Sequence, residues 1–186
     1  MPIKEVNGMP PHCDSMDGPI VLAARRALEA EDVDLILPYV HEGGWEEVRR
    51  AFAIVRKART QGPEAREVAD LYFFETVVRV HRHGENAPYT GLKPAGLYVG
   101  PAIPVAEKSI ADGNPGELLE LLTKRLKDET EARFSHLREL AARAEEDVHR
   151  ARRYVAYMLA TEVWAHKLFG QIGAAPHEEE HHHNSL

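Results

Sequence analysis

Seven prolines and glycines fall within residues 85–106, between two long runs that carry apolar residues at helical spacing. Such a stretch cannot continue a helix, because each proline removes a backbone donor and clashes with the turn before it. It is also longer than an ordinary connector, and a long unstructured loop in a compact domain is either functional or disordered. Its own apolar residues, Tyr89, Leu92, Leu97, Tyr98, Val99 and Ile103, favour packing. The expectation is therefore an ordered crossover between two helical halves.

The flanking runs read as helices. Asp17 or Gly18 opens the first, with Pro19 in its first turn and Ile20, Val21, Ala24, Leu28 and Val33 as its apolar stripe. Pro38 and the glycines at 43 and 44 break the chain. A second helix is expected over 45–61, with Val48, Phe52 and Val55 inward. Gly62-Pro63 separates it from a third, which Gly84 stops. After the crossover the spacing predicts a short helix over 102–111, a turn at Asp112–Gly116, and two long helices over 117–143 and 146–169. Strand signals are weak throughout. The fold class expected is all-α: an antiparallel helical bundle of about four long helices in one domain, residues 1–175. A polar His/Glu-rich tail, 176–186, follows it.

Composition narrows the function. A hydrophobic fraction of 44% and a charged fraction of 28% are ordinary for a soluble globular chain. A net charge of −7 argues against nucleic acid as a partner, since phosphates require a basic face. No apolar run approaches the roughly 20 residues of a membrane span. One cysteine forms no internal disulfide, and the first residues lack a signal-peptide core. Together these point to a cytoplasmic protein.

That cysteine sits in the most chemically loaded stretch of the sequence, Pro10-Pro11-His12-Cys13-Asp14-Ser15-Met16-Asp17-Gly18. A thiol, an imidazole and two carboxylates within six residues, on a proline-stiffened approach, suit the coordination of a transition metal ion. His12, Cys13, Asp14 and Asp17 are the candidate ligands. The bland alternative makes Cys13 a small buried hydrophobe, Asp17 a helix cap and His12 a surface residue. Sequence neighbours point apart, so His12 is not expected to act as the base for Cys13. On the third helix an inward stripe of Leu71, Phe74, Val78 and His81 places Glu75 and His81 on or beside the apolar face. A carboxylate there needs a cation: Arg79 at i+4, or a metal shared with the hook. His81 is equally a hydrogen-bonded core histidine or a ligand. Glu162 and His166, four apart, and His136 are further polar groups on the last two helices, without the ExxH spacing of di-iron bundles. Lys93 and the amides of 89–96 could hold an anion, or the loop is simply a rigid crossover. The histidine tail binds metals loosely and is kept out of the site.

The segments PPHCDSMDGPI, FFETVVRVHRHGENAPYTGLKPAG and VGPAIPVAEKSI resemble an uncharacterised prokaryotic family of cytoplasmic helical proteins, over roughly residues 8–170. The resemblance implies no activity. It marks the hook, Glu75, His81 and the 89–96 loop as distinctive. Locally, His12, Cys13, Asp14 and Gly18 also resemble the hook of nickel superoxide dismutases, which reads HCD, two residues, Cys, Gly. Asp17 stands where that hook has its second cysteine, and eleven residues precede His12, where that family has a free amine. The change would favour harder metals: zinc, iron or manganese beside nickel. Two functions stay open. One is a metal-binding helical bundle, a small-molecule redox or hydrolytic metalloenzyme built on the hook. The other is a non-enzymatic bundle that self-associates as a homo-oligomer or binds a partner, with Cys13 and Glu75 structural.

Overall fold

A computed structural model describes residues 11–174, so the 176–186 tail lies outside the described residues. The described chain is helical. It holds six α-helices: α1 (Pro19–Ala30), α2 (Trp45–Ala58), α3 (Pro63–Gly84), α4 (Ala102–Asp112), α5 (Gly116–Ala141) and α6 (Val148–Ile172). Extended pairing among the described residues is limited to one isolated parallel bridge, Ser15 with Lys93. Among the described residues, no helix is long and apolar enough to cross a membrane. Contacts gather the chain into two compact units, residues 1–104 and 105–186, a division inside the span for which the sequence suggests one domain.

In the first unit, α3 packs against both α1 and α2. Ala23, Ala24 and Ala27 on α1 are fully buried, and small side chains there let the helices approach closely. Phe52 and Phe73 meet with ring centroids 5.5 Å apart, tilted by 57°. Between α1 and α2 the chain makes three short 3-10 turns, because Pro38 and the Gly43-Gly44 pair interrupt any longer helix. The Trp45 indole N–H ties this stretch down by donating to the carbonyls of Leu37 (3.2 Å) and Val40 (3.1 Å). Gly44 is required sterically: a Cβ there would come within 2.2 Å of Val80 Cγ1. Arg59 joins three elements, donating to the Leu28 carbonyl at 2.6 Å and pairing with Asp70 at 2.8 Å.

The inward face of α3 differs from the stripe read in sequence. Phe73, Phe74, Val77, Val78 and Val80 are buried, whereas Leu71 is 42% exposed. A helix covered on two sides buries a broader arc than a single stripe of three- and four-residue steps can report.

The second unit is built differently. α5 and α6 form a helical hairpin joined through residues 142–147, with Asp147 capping α6 by accepting from the Arg150 N–H at 2.9 Å. Every buried hydrophobic residue among the described residues lies between Ile20 and Val80. On α5 no residue is buried, and on α6 only Thr161 is.

Candidate functional site

The hook begins as a 3-10 turn, Pro11–Asp14, and reverses through Gly18. The reversal brings Gly18 so close to the start of the turn that a Cβ would lie 1.9 Å from the His12 carbonyl oxygen. The Ser15 hydroxyl donates to the same oxygen at 2.9 Å. The hook is stitched to the crossover by backbone bonds, from Lys93 N–H to the Asp14 carbonyl (2.8 Å) and from Met16 N–H to the Lys93 carbonyl (3.0 Å). Tyr89 and Leu92 pack against the core, and the Lys93 ammonium donates to the Thr90 carbonyl at 2.9 Å. These contacts agree with the rigid-crossover reading of 89–96.

Beneath the hook lies a buried charge network. Arg82, on the last turn of α3, donates from Nε to Asp14 at 2.6 Å, and both side chains are only 5% exposed. Its Nη1 donates to Glu85 at 3.2 Å. Glu85 reaches on to His81 Nε2 at 3.1 Å, and the Nδ1–H of His81 donates to the Tyr39 carbonyl at 2.8 Å. Burial works against the Arg82 charge, but the hydrogen bond and charge of Asp14 outweigh it and hold the guanidinium pKa above its ordinary value.

The six residues singled out in sequence therefore fall into distinct settings. Asp14 is engaged with Arg82. Asp17 accepts from the Gly96 N–H at 2.7 Å, which, with the Ser15 hydroxyl, lowers its pKa. Gly96 holds a left-handed φ of 76° there, a conformation that favours glycine. Glu75 is exposed rather than inward, and accepts from the Tyr89 hydroxyl at 3.3 Å. Arg79 turns to Glu47 instead, at 2.5 Å. His81 is a hydrogen-bonded, largely covered histidine. Cys13 is half-buried, and its Sγ lies 4.0 Å from both ring nitrogens of His12. Neighbours do meet here, because the 3-10 turn folds their side chains together. Among the described residues, no group of three or more His, Cys, Asp or Glu is placed to hold a metal ion.

Sequence reading passed over a second feature, although it named most of the residues concerned. A groove of about 690 Å³ runs along α5 and α6, lined by Leu126, Phe134, Met158, Trp164 and Phe169 among others. Leu126, Phe134 and Phe169 are exposed. The charged residues lining the groove are Arg138 and Glu162, one of each sign. Arg133 lies over the Trp164 ring at 4.4 Å, and His136 meets Tyr157 edge-on at 4.6 Å. The signal available was the width of the apolar band on each helix, not any single residue.

A model of a family of unknown function, DUF6448, matches residues 17–164. The match opens at Asp17, so His12 to Met16 precede it. No curated protein and no solved structure matches the chain.

Two measurements check the network. Arg82→Met, which leaves Asp14 buried without its cation, should lower unfolding free energy by about 3–5 kcal/mol in urea titration. Adding Asp14→Asn to it should recover a large part of that loss. A double-variant loss equal to the sum of the Arg82→Met and Asp14→Asn losses would mean that the pair is not coupled. Secondly, burial, reinforced by Glu75, pushes the Tyr89 hydroxyl up from 10.0 to about 12. The neutral phenol is the favoured form, so its stabilisation is complete below pH 10 and lost as pH rises towards 12. Ultraviolet titration should show one tyrosine ionising late, and Glu75→Gln should bring it part of the way back.

Proposed function

The chain belongs to DUF6448, a family of unknown function, and we propose that it is a non-enzymatic assembly or partner-binding protein that works through the α5–α6 hairpin. The observation that carries this is the mismatch between apolar width and apolar cover on the two helices. At about 100° per residue, large apolar side chains on α6 occupy roughly 260° of its circumference. Tyr154, Thr161 and Leu168 line the groove along α5 and α6, while Val155, Leu159 and Phe169 are exposed. α5 repeats the pattern, with Leu119, Leu122, Leu126 and Phe134 exposed. A helix with one neighbour needs an apolar stripe of about 100°; a helix in a bundle, with neighbours on two sides, needs more. The hairpin thus has the composition of half a four-helix bundle. The first unit, with its complete core, serves as the scaffold.

Amide hydrogen exchange on the full chain tests the reading. α5 and α6 should exchange faster than α1–α3, or gain protection as protein concentration or a bound partner rises. Slow exchange over 116–172 in a monomer, independent of concentration, would mean that the face is covered within its own chain, and would overturn the proposal.

A second reading rests on His12 and Cys13. Their 4.0 Å approach makes a thiol–imidazole pair, the beginning of a site for zinc, iron, nickel or manganese. Asp14, Asp17, Glu75 and His81 hold other partners and would have to exchange them to join it. Elemental mass spectrometry on wild type and Cys13→Ser, both carrying the same tail, decides the matter. About one equivalent of metal lost in the variant supports the reading, and equal content in the two sinks it.

A further inference from the structure

Resting on the reading of α5–α6 as a docking face, we infer that its occupant is a second copy of this chain, placed by a two-fold axis perpendicular to the helices so that Arg138 of each copy pairs with Glu162 of the other. Three observations carry this. The first is size. Helices of 26 and 25 residues lying side by side present a face roughly 37 Å long and about 20 Å wide. That is roughly 740 Å², close to the ~800 Å² per partner of a stable interface.

The second is charge. Arg138 and Glu162 line an otherwise apolar groove, and neither side chain is in an ion pair with another described residue. A single charge of one sign in a self-associating face would repel its own copy. One of each sign makes the face complementary to itself, as an isologous contact requires.

The third is register. The contacts of His136 with Tyr157 and of Arg133 with Trp164 set which levels of the two helices coincide. In that register Arg138 stands level with Tyr157, about five residues or roughly 7 Å from Glu162 along the hairpin, and the midpoint between them lies near Leu159 and Ala160. A two-fold axis through that midpoint exchanges the two levels. It brings each arginine level with a glutamate of the other copy and lays Phe134 and Met158 near their counterparts. The two hairpins then close a four-helix bundle, with Thr161 near its middle. The Thr161 hydroxyl already donates to the Tyr157 carbonyl at 2.9 Å, so its burial leaves no unmet donor.

The test is sedimentation velocity on the full chain across a range of concentrations, with hydrogen exchange on the same samples. Wild type should sediment as a dimer that dissociates on dilution, with protection of α5 and α6 falling in step. Arg138→Glu and Glu162→Arg should each weaken the dimer about tenfold or more, and the double swap should restore it to within about threefold. Both positions are exposed, so the helical circular dichroism of each variant should be unchanged. A dimer protected elsewhere, or a double swap as weak as its parents, overturns the inference. A monomer with rapidly exchanging α5 and α6 overturns it too, but leaves the docking face standing for a different protein. A monomer with slow exchange there removes both.

Discussion

A buried arginine cannot be left alone, and the N-terminal part of this protein is arranged around meeting that demand. Arg82 reaches the end of α3 inside the first unit, where the loss of water costs several kcal/mol unless a counter-charge is supplied. Asp14 supplies it from 68 residues away in sequence. The contact fixes the hook against α3, and the hook in turn fixes the crossover through Lys93 and Gly96. Apolar packing alone would tolerate small slips of these segments. A bidirectional requirement, in which Asp14 needs Arg82 as much as Arg82 needs Asp14, does not. Glu85 and His81 extend the same logic to the Tyr39 carbonyl, so the turns between α1 and α2 are referred to one charged centre.

Against that specified half stands a half whose apolar residues are only partly satisfied. The core from Ile20 to Val80 is closed, with small residues at helix contacts and aromatic rings tilted against each other. α5 and α6 carry as clear a helical pattern but bury almost none of it. Regular amphipathic helices without a covering layer give a protein a surface to use, whereas a catalytic pocket needs convergent polar groups. The geometry of the hook fits the same picture, since most of its polar groups are occupied in holding the chain together.

The helices themselves were legible because period and punctuation agreed. Gly18-Pro19, Gly62-Pro63 and the turn before Gly116 lie where helices begin, and Val48, Phe52 and Val55 point inward as their spacing requires. Family membership was also legible, in long motifs on both sides of the crossover. What escaped were facts of rotation and partnership. Glu75 lies one residue from buried Phe74, yet it faces out because α3 is buried on an arc centred elsewhere. Arg82 was the partner that mattered for Asp14, and nothing local to either residue announces a contact across such a separation. The meeting of His12 and Cys13 depends on a 3-10 turn, and a short turn leaves too little periodicity to be read.

That Val80 is the last buried hydrophobic residue among the described residues bears on how the protein is made. A chain leaves the ribosome from its N-terminus at about 5–20 residues per second, so residues 105–186 follow the first unit over roughly 4–16 s. Every buried hydrophobic residue among the described residues, and the Asp14–Arg82 pair with them, lies in the part already synthesised. The first unit therefore has its own interior to condense around while α5 and α6 are still being added. The exposed leucines and phenylalanines of the hairpin emerge after it, when the first unit no longer offers them unfolded apolar chain with which to tangle.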